Sequence, residues 1–533
     1  MSKQIYYNGP IITMDENYMF PEAILVENDK IKNVGSESFI FSLKDSNTKV
    51  IDLKNNTLIP SFIDSHSHIT AFASTLNLVF LNNIKSFHDI ISRLKDFKQK
   101  HNLGKDQWII GFGYDHNDLP NKIHPTKDIL DKASTENPIL ITHASGHVGV
   151  LNSLALEKLN ITCDSKDIEG GRIGRIKDSL EPNGYLEENA FMSCAKNIPK
   201  PSLESNLAFL KKAQDIYLSY GITTCQEGMV NEEEFNTLKY ASDTKSLKLD
   251  VIGYVDLQKS KFLMDNNKGY KNNYINRFKF GGYKIFLDGS PQGKTAWLTK
   301  PYKNSGDYLG YPIYKDCDVL KHVETSFKED LQLLTHCNGD AAADQLIEAF
   351  NHVSCLKEYK NDIRPVMIHA QTVRYDQINK MKKFNIMPSY FVAHTYYWGD
   401  IHIENLGKER AFKISPAKTT LEEDLIFTFH QDTPVIPPNM LETVWCAVNR
   451  ITKEGVLLGE EERIPVLDAL KAVTINAAFQ YFEENKKGSI SEGKFADFVI
   501  LDKNPLEVNP MDIKNIKILK TIKEGQVLYS NTL

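Results

Sequence analysis

The chain has 533 residues, of which 41% are hydrophobic and 25% charged, the proportions of a globular protein; its length suits one large α/β domain with an accessory domain. Sixty-three Lys and Arg against 69 Asp and Glu leave a net charge of −6 with no basic stripe, which excludes nucleic acid as the main partner and favours a small, mostly neutral ligand. The first residues lack a secretory pattern, no run reaches membrane-spanning length, and the seven cysteines are scattered without C-x-x-C spacing, so a cytoplasmic protein with no membrane partner and reduced, mostly buried thiols is expected.

Residues 1–57 alternate short β runs (4–7, 23–26, 30–34 and 49–53) with turns such as Asn8-Gly9-Pro10, the texture of a small β-sandwich. Segment 485–533 has the same texture, at 498–502, 516–521 and 526–529. Neither end carries enough apolar surface for a core of its own. One sandwich built from both chain termini is therefore expected, with residues 58–484 forming a (β/α)8 TIM barrel between them. The barrel's strand candidates are 58–64, 223–227, 251–255, 282–287, 331–335, 366–369, 388–393 and 426–431. From the second strand onward most intervals hold an amphipathic helical stretch, such as 341–353 or 375–383. The first interval far exceeds one crossover, which makes about 70–200 a long insertion leaving from the catalytic end of the first strand. Its glycine-rich portions, Gly170-Gly171-Arg172 and Gly184-Tyr185, lack the order of a phosphate loop and read as turns.

Asp64-Ser65-His66-Ser67-His68 closes the first barrel strand. Residues i and i+2 of a strand face the same side, so both imidazoles can meet one ion, although an H-x-H alone is equally a feature of solvated strands. Lys284, His336, His369 and Asp432 each close a later β-rich run, and a barrel gathers its strand ends at one mouth. Imidazole and carboxylate groups suit zinc and similar first-row ions, and a bound ion lowers the pKa of water from about 15.7 towards about 7. An ammonium among metal ions would repel them. Lys284 fits as an uncharged amine that has taken up carbon dioxide, giving a carbamate that bridges two ions; the alternative is a lysine that points away from the mouth or meets an acidic substrate group. Asp432, at the edge of the site, is the candidate general acid/base, taking a proton from the attacking water and giving it to the leaving nitrogen; the alternative is a turn residue before Thr433-Pro434.

In the insertion, His147 and Glu188 are candidate substrate contacts, with structural roles as the alternative; Gly146 and the strand-like run before it argue against His143 and His147 sharing a helix face. After the seventh strand, His394-Thr-Tyr-Tyr397-Trp398 is dense in aromatic groups, and His394 and Trp398 either wall a substrate pocket or pack beneath a loop.

The segments Pro60-Ser-Phe-Ile-Asp64-Ser-His66-Ser-His68, Gly184-Tyr-Leu-Glu-Glu188, Lys284-Ile-Phe-Leu-Asp288-Gly-Ser290, His336-Cys-Asn-Gly339-Asp340, His369-Ala-Gln371, Asp432-Thr-Pro434 and Gly488-Ser-Ile-Ser-Glu-Gly493 carry a resemblance over essentially the whole chain. The chain resembles the amidohydrolase superfamily, and within it the YtcJ-like, amidohydrolase-3 group. The resemblance implies a metal-dependent hydrolase acting on carbon-nitrogen bonds other than peptide bonds, and a homodimer. His66, His68, His336, His369 and Asp432 are then metal-site residues, Lys284 is a carboxylated bridge between two divalent ions (zinc, or manganese, iron or cobalt), and Gln371 joins the substrate contacts. Three positions depart from the family's pattern: Glu227 stands where an aspartate usually follows the second strand, Cys337 follows His336, and Gln431 fills a position that is often smaller or hydroxylated. They leave the ligands intact and bear on the substrate. Hydrolysis of an amide or N-acyl bond is the first expectation and deamination of a heterocycle the alternative. Deaminases of this architecture usually carry one metal and a His-x-x-Glu after the fifth strand, whereas here Gly339 and Asp340 follow His336. A non-catalytic binding protein on the same scaffold would be expected to have lost ligands, and this chain has lost none.

Overall fold

Strands buried on both faces need no polar alternation, and this chain supplies eight of them. The computed structural model describes residues 3–198, 202–355 and 361–531. β1 (Phe62–Ile63), β2 (Ile222–Val230), β3 (Asp250–Asp256), β4 (Phe278–Phe286), β5 (Gln332–Cys337), β6 (Val366–His369), β7 (Met387–Tyr390) and β8 (Thr428–Phe429) lie side by side in chain order, every neighbouring pair parallel. β3 is buried along its whole length and β4 at all but its last residue. Beyond the strand ends β1 and β8 are joined by Asp432 N donating to His66 O (3.2 Å) and His68 N to Thr433 O (2.8 Å), and Ser65 Oγ donates to Phe429 O (2.9 Å). The helices Glu232–Asp243, Lys261–Asn266, Asp316–Glu329, Asp340–Ser354, Tyr375–Lys383 and Gly399–Leu406 lie in the intervals from β2 to β8, as in a (β/α)8 barrel. Register then levels the functional groups: Cys337, next to His336 on β5, pairs with His369 on β6.

The expected first strand, 58–64, is two strands. Thr57–Pro60 pairs antiparallel with Phe498–Leu501, whereas Ser61 N donates to Asp497 O and Phe62 N to Gly221 O, so the chain crosses from sandwich to barrel within two residues. The whole run is buried, and its apolar pattern cannot mark the crossing. The sandwich therefore extends to Pro60. One of its sheets runs in the order Lys30–Gly35, Ala23–Glu27, Lys3–Tyr7, Lys49–Asp52, and the other Gln526–Ser530, Ile518–Lys523, Phe498–Leu501, Thr57–Pro60. Tyr6, Ile24 and Val26 from one end of the chain share a core with Phe498, Ile500 and Ile522 from the other. Asp250, the first residue of β3, ties the sandwich to the barrel: it accepts from Lys487 (2.6 Å), Lys523 (2.7 Å) and Arg277 (3.1 Å), with both lysines fully enclosed.

Residues Ala73–Phe209 form a compact unit of their own. Its six-stranded mixed sheet runs Gly171–Arg175, Pro182–Glu187, Val148–Leu151, Ile139–His143, Ile109–Tyr114, Leu78–Phe80. Of the glycine-rich portions expected as turns, Gly170 is in one, closed by Gly171 N donating to Ile168 O (2.8 Å), but Gly171-Arg172 and Gly184-Tyr185 are in strands. A Cβ added at Gly171 would lie 2.2 Å from Ala190 N, and one at Gly184, where φ is +96°, 2.3 Å from Leu151 O. Close backbone approach and a left-handed φ, rather than a turn, require glycine there.

All seven cysteines are unpaired; Cys225, Cys337 and Cys446 are buried, but Cys163, Cys317 and Cys355 are exposed, so the thiols are not mostly buried. Cys317 sits in the first turn of a surface helix and Cys355 just past the end of another, where the apolar packing that encloses the barrel thiols is missing. Among the described residues, no helix is long and apolar enough to cross a membrane.

Candidate metal centre

Asp432 lies just beyond β8 and collects the other groups around it. Its Oδ1 is 3.4 Å from His66 Nε2 and 3.5 Å from His68 Nε2, and its Oδ2 is 4.0 Å from His369 Nε2. Lys284 Nζ, on β4, is 3.4 Å from His66 Nε2. The His336 and His369 rings pack edge to face, 4.6 Å apart between centroids. Two ligand atoms on one tetrahedral ion at about 2.0–2.1 Å each sit about 3.3 Å apart, so the triangle of His66, His68 and Asp432 has the spacing of a ligand set.

The ring nitrogens facing away from this triangle are also engaged. His66 Nδ1 meets Gln226 Oε1 at 2.6 Å; Gln226 donates its amide to Ser65 O (2.9 Å) and to the Tyr481 hydroxyl (3.0 Å), so its oxygen is the atom turned to His66. His68 Nδ1 meets Glu227 Oε1 at 3.3 Å, and Glu227 Oε2 accepts from the backbone and hydroxyl of Thr70. His369 Nδ1 meets His430 Nε2 at 3.1 Å. An outer hydrogen bond of this kind orients an imidazole and sets which nitrogen is free to bind an ion. His336 Nδ1 is buried, has no hydrogen-bond partner and lies 3.6 Å from Asp288 Oδ1. An orphaned imidazole nitrogen beside three oriented rings and a carboxylate fits a divalent cation.

Electrostatics point the same way. Burial, with Lys284 nearby, pushes His66 well below the usual imidazole range; burial, with His336 nearby, does the same to His369, so both are neutral, the form that binds metal. For Asp432 burial acts upward but is outweighed by the hydrogen bond from His68 and the fields of His66 and His369, which hold its carboxyl well below the usual carboxylate range. His68, opposed by burial but flanked by Asp432 and Glu227, is held up at about 9: the two carboxylates draw positive charge to this point. Burial pushes the Lys284 amine down to about 7 against the pull of Asp432. Burial also lifts the carboxyl of Asp64, which accepts from His66 N, to about 7.

The other sequence candidates divide between the two units. Near the centre, His394 is buried and stacks on His402 (5.3 Å between centroids), with the two rings hydrogen-bonded at 3.0 Å. Phe391 links the Trp398 ring (5.8 Å) and the His394 ring (4.6 Å) to His430 (5.4 Å), so the aromatic cluster adjoins the outer partner of His369. Gln371 is buried and donates to Ser415 Oγ at 2.8 Å, leaving its Oε1 unpaired. Gln431 is also buried and donates to Asn439 O and Thr443 Oγ1, while Cys337 is an enclosed thiol. On the insertion, His147 Nδ1 and Glu188 Oε2 pair with each other at 3.0 Å, both exposed. Gln226, His430, Ser389 and Asp288 were not anticipated as parts of the site.

A second cluster on the insertion has similar spacing: His116 Nδ1 is 3.2 Å from His143 Nε2, and Asp115 Oδ1 is 3.7 and 3.6 Å from those atoms. Its proton pattern differs. Ser145 N donates to His143 Nδ1 (3.0 Å), so a neutral His143 keeps its proton on Nε2, directed at His116. The cluster is a hydrogen-bonded set, whereas at the barrel site the Gln226 oxygen takes the His66 Nδ1 proton and leaves His66 Nε2 bare toward Asp432.

Comparison with known proteins accords with the fold. The chain is 26% identical to "Putative amidohydrolase YtcJ" of Bacillus subtilis (strain 168), across 99% of this chain and 100% of that one. It is 22% identical to "N-substituted formamide deformylase" of Arthrobacter pascens, across 98% of each. Its structure superposes on that of an uncharacterized metal-dependent hydrolase from Pyrococcus horikoshii OT3 with a TM-score of 0.76 and 26% identity, covering 96% of this chain and 99% of the other. Residues 49–529, from the sandwich through the barrel and back, match the model of the amidohydrolase family, and the chain belongs to that family.

Proposed function

We propose that the chain hydrolyses a carbon-nitrogen bond, an amide or N-acyl bond other than a peptide bond, in a small molecule. The observation that carries this reading is the ionised Asp432 carboxylate held 3.4 and 3.5 Å from two imidazole nitrogens, placed to move a proton at the centre. His66, His68, Lys284, His336, His369 and Asp432 would hold two divalent ions, zinc by donor chemistry with manganese, iron or cobalt as alternatives, which when bound supply Lewis-acid polarisation of a carbonyl and acidify water. Asp432 takes a proton from water as the oxygen adds to the carbonyl carbon. It returns that proton to the nitrogen as the carbon-nitrogen bond breaks, so a carboxylic acid and an amine leave and the carboxylate is restored.

Lys284 enters this reading as a carbamate. Its uncharged amine forms a bond to the carbon of carbon dioxide and releases a proton; an amine held down at about 7 has a large uncharged fraction at neutral pH. The N-acyl class is supported by the relative named as an N-substituted formamide deformylase. Hydrolysis is favoured over deamination because the carboxylate nearest after His336, that of Asp340, is already bonded to Thr299 N (2.9 Å) and Arg374 (3.1 Å). Seven unpaired cysteines, three of them exposed, support a reducing compartment such as the cytoplasm.

The test is a panel of N-formyl amines, N-acyl amines and amino-substituted heterocycles, with product analysis for wild type and Asp432→Asn. Release of a free amine with its carboxylate, lost in the variant, is expected. Ammonia release from a heterocycle with no cleavage of any amide would overturn the reading.

A further inference from the structure

His66 and His68 are each backed by a group whose facing atom can only accept, an amide oxygen and a carboxylate. His369 is backed by another imidazole, which can donate or accept, so something further out must decide. His430 Nδ1 lies 2.9 Å from Ser389 Oγ, Ser389 Oγ lies 3.2 Å from Ser65 Oγ, and Ser65 Oγ donates to Phe429 O at 2.9 Å. All three side chains are fully buried, where water cannot compete for their hydrogen bonds.

The last contact fixes the rest. A carbonyl only accepts, so the one hydroxyl proton of Ser65 is committed to Phe429, and Ser65 Oγ must accept from Ser389. With its proton on Ser65, Ser389 Oγ accepts from His430 Nδ1–H. His430 Nε2 then carries a lone pair and accepts from His369 Nδ1–H. This is the assignment that places a proton in all four contacts. The reverse would leave the Ser389–Ser65 contact without one. It would also put an N–H on His369 Nε2 with Asp432 Oδ2 4.0 Å away, beyond hydrogen-bond reach.

We propose that His430, Ser389 and Ser65 form a proton-ordering chain, anchored on the Phe429 carbonyl, that holds His369 in its Nδ1–H tautomer and so presents His369 Nε2 as a bare ligand to a divalent cation. His430 is a positioning residue. The inference rests on the metal-centre reading above.

The experiment is competition for Zn²⁺ between a chromophoric chelator and the full-length protein, in wild type, His430→Phe, His430→Gln and Ser389→Ala, with the melting temperature of each metal-free protein as a control. His430→Phe keeps an aromatic ring and removes the acceptor, and should weaken Zn²⁺ binding about 10- to 100-fold. His430→Gln, whose amide oxygen restores an acceptor, should recover most of the loss. Ser389→Ala should weaken binding several-fold at an unchanged melting temperature, and it carries the test if His430→Phe fails to fold. In the metal-free protein, ¹⁵N shifts of the His369 ring should report Nδ1–H. Affinity in the folded His430→Phe or Ser389→Ala variants within twofold of wild type would overturn the proposal, as would an Nε2–H signal for His369. Wild type that binds no Zn²⁺ would fail the metal reading itself, a different outcome from wild type and variants binding alike.

Discussion

Gly228, on β2, lies beneath both histidines of the H-x-H pair, and replacing it with alanine is a severe test of the centre. A Cβ at Gly228 would fall 2.6 Å from His66 Cε1, 3.0 Å from His66 Nδ1 and 3.0 Å from His68 Cε1. Ordinary carbon contact is about 3.5 Å, so the His66 ring must retreat by about 0.9 Å. It has little room to do so: the ring is buried and held at 2.6 Å by Gln226, while His68 is held between Glu227 and Asp432. Gly228 is not at a positive φ, so alanine adds no backbone strain and the effect reads on the rings. Overpacking of this size costs about 1–3 kcal/mol, and a metal site tolerates ligand shifts of only about 0.2 Å. If that cost falls on the bound state, affinity drops roughly 5- to 150-fold. Chelator competition on Gly228→Ala, with circular dichroism to confirm an intact barrel, measures it. A folded variant that binds metal as tightly as wild type would refute the reasoning.

Three further outcomes are expected. Asp432→Asn should leave the circular dichroism spectrum unchanged and lower kcat by about 10²–10⁴-fold, as loss of a general acid/base does; unchanged turnover would remove Asp432 from the chemistry. Asp250→Asn leaves Lys487 and Lys523 enclosed with one fewer charge partner and should cost about 3 kcal/mol by urea unfolding. Burial acts upward on Asp250, but Lys487, Lys523 and Arg277 outweigh it and depress its folded pKa. Its stabilising effect is therefore complete above the unfolded value of about 3.9 and fades as pH falls below that, so the gap between wild type and variant should narrow below about pH 4; a gap that widens there contradicts the assignment. Trp398→Ala should raise KM by up to about tenfold with metal content unchanged if the aromatic cluster walls the substrate, an effect of the size of one ring pair; an unaltered KM would leave Trp398 as packing.

How much of this was legible in the chain depends on what each residue's neighbours reveal. The H-x-H pair, Lys284, His336, His369 and Asp432 stand at the ends of apolar runs, where period-two geometry and barrel closure give their shared destination away. His430 sits inside the run 426–431, where apolar neighbours give it the look of an ordinary strand residue. Yet it stands two residues before Asp432, the same i, i+2 relation that links His66 to His68, and that parity is the signal that could have found it. Gln226 and Ser389 carry no comparable mark, because a buried amide or hydroxyl becomes readable only once its partner is known. The crossing at Ser61 was hidden because both sides of it are equally apolar and equally buried. Gly171 and Gly184 misled because glycine marks a turn and a close backbone approach alike.

Metal content per chain tests the central claim most directly, on protein purified with bicarbonate and without chelator, wild type against Lys284→Ala. About two ions in wild type, falling to one or none in the variant, is the expected result for a centre bridged through a carboxylated Lys284. Equal stoichiometry in both proteins would take Lys284 out of the bridge, and a folded wild type with no bound ion would contradict the metal centre altogether.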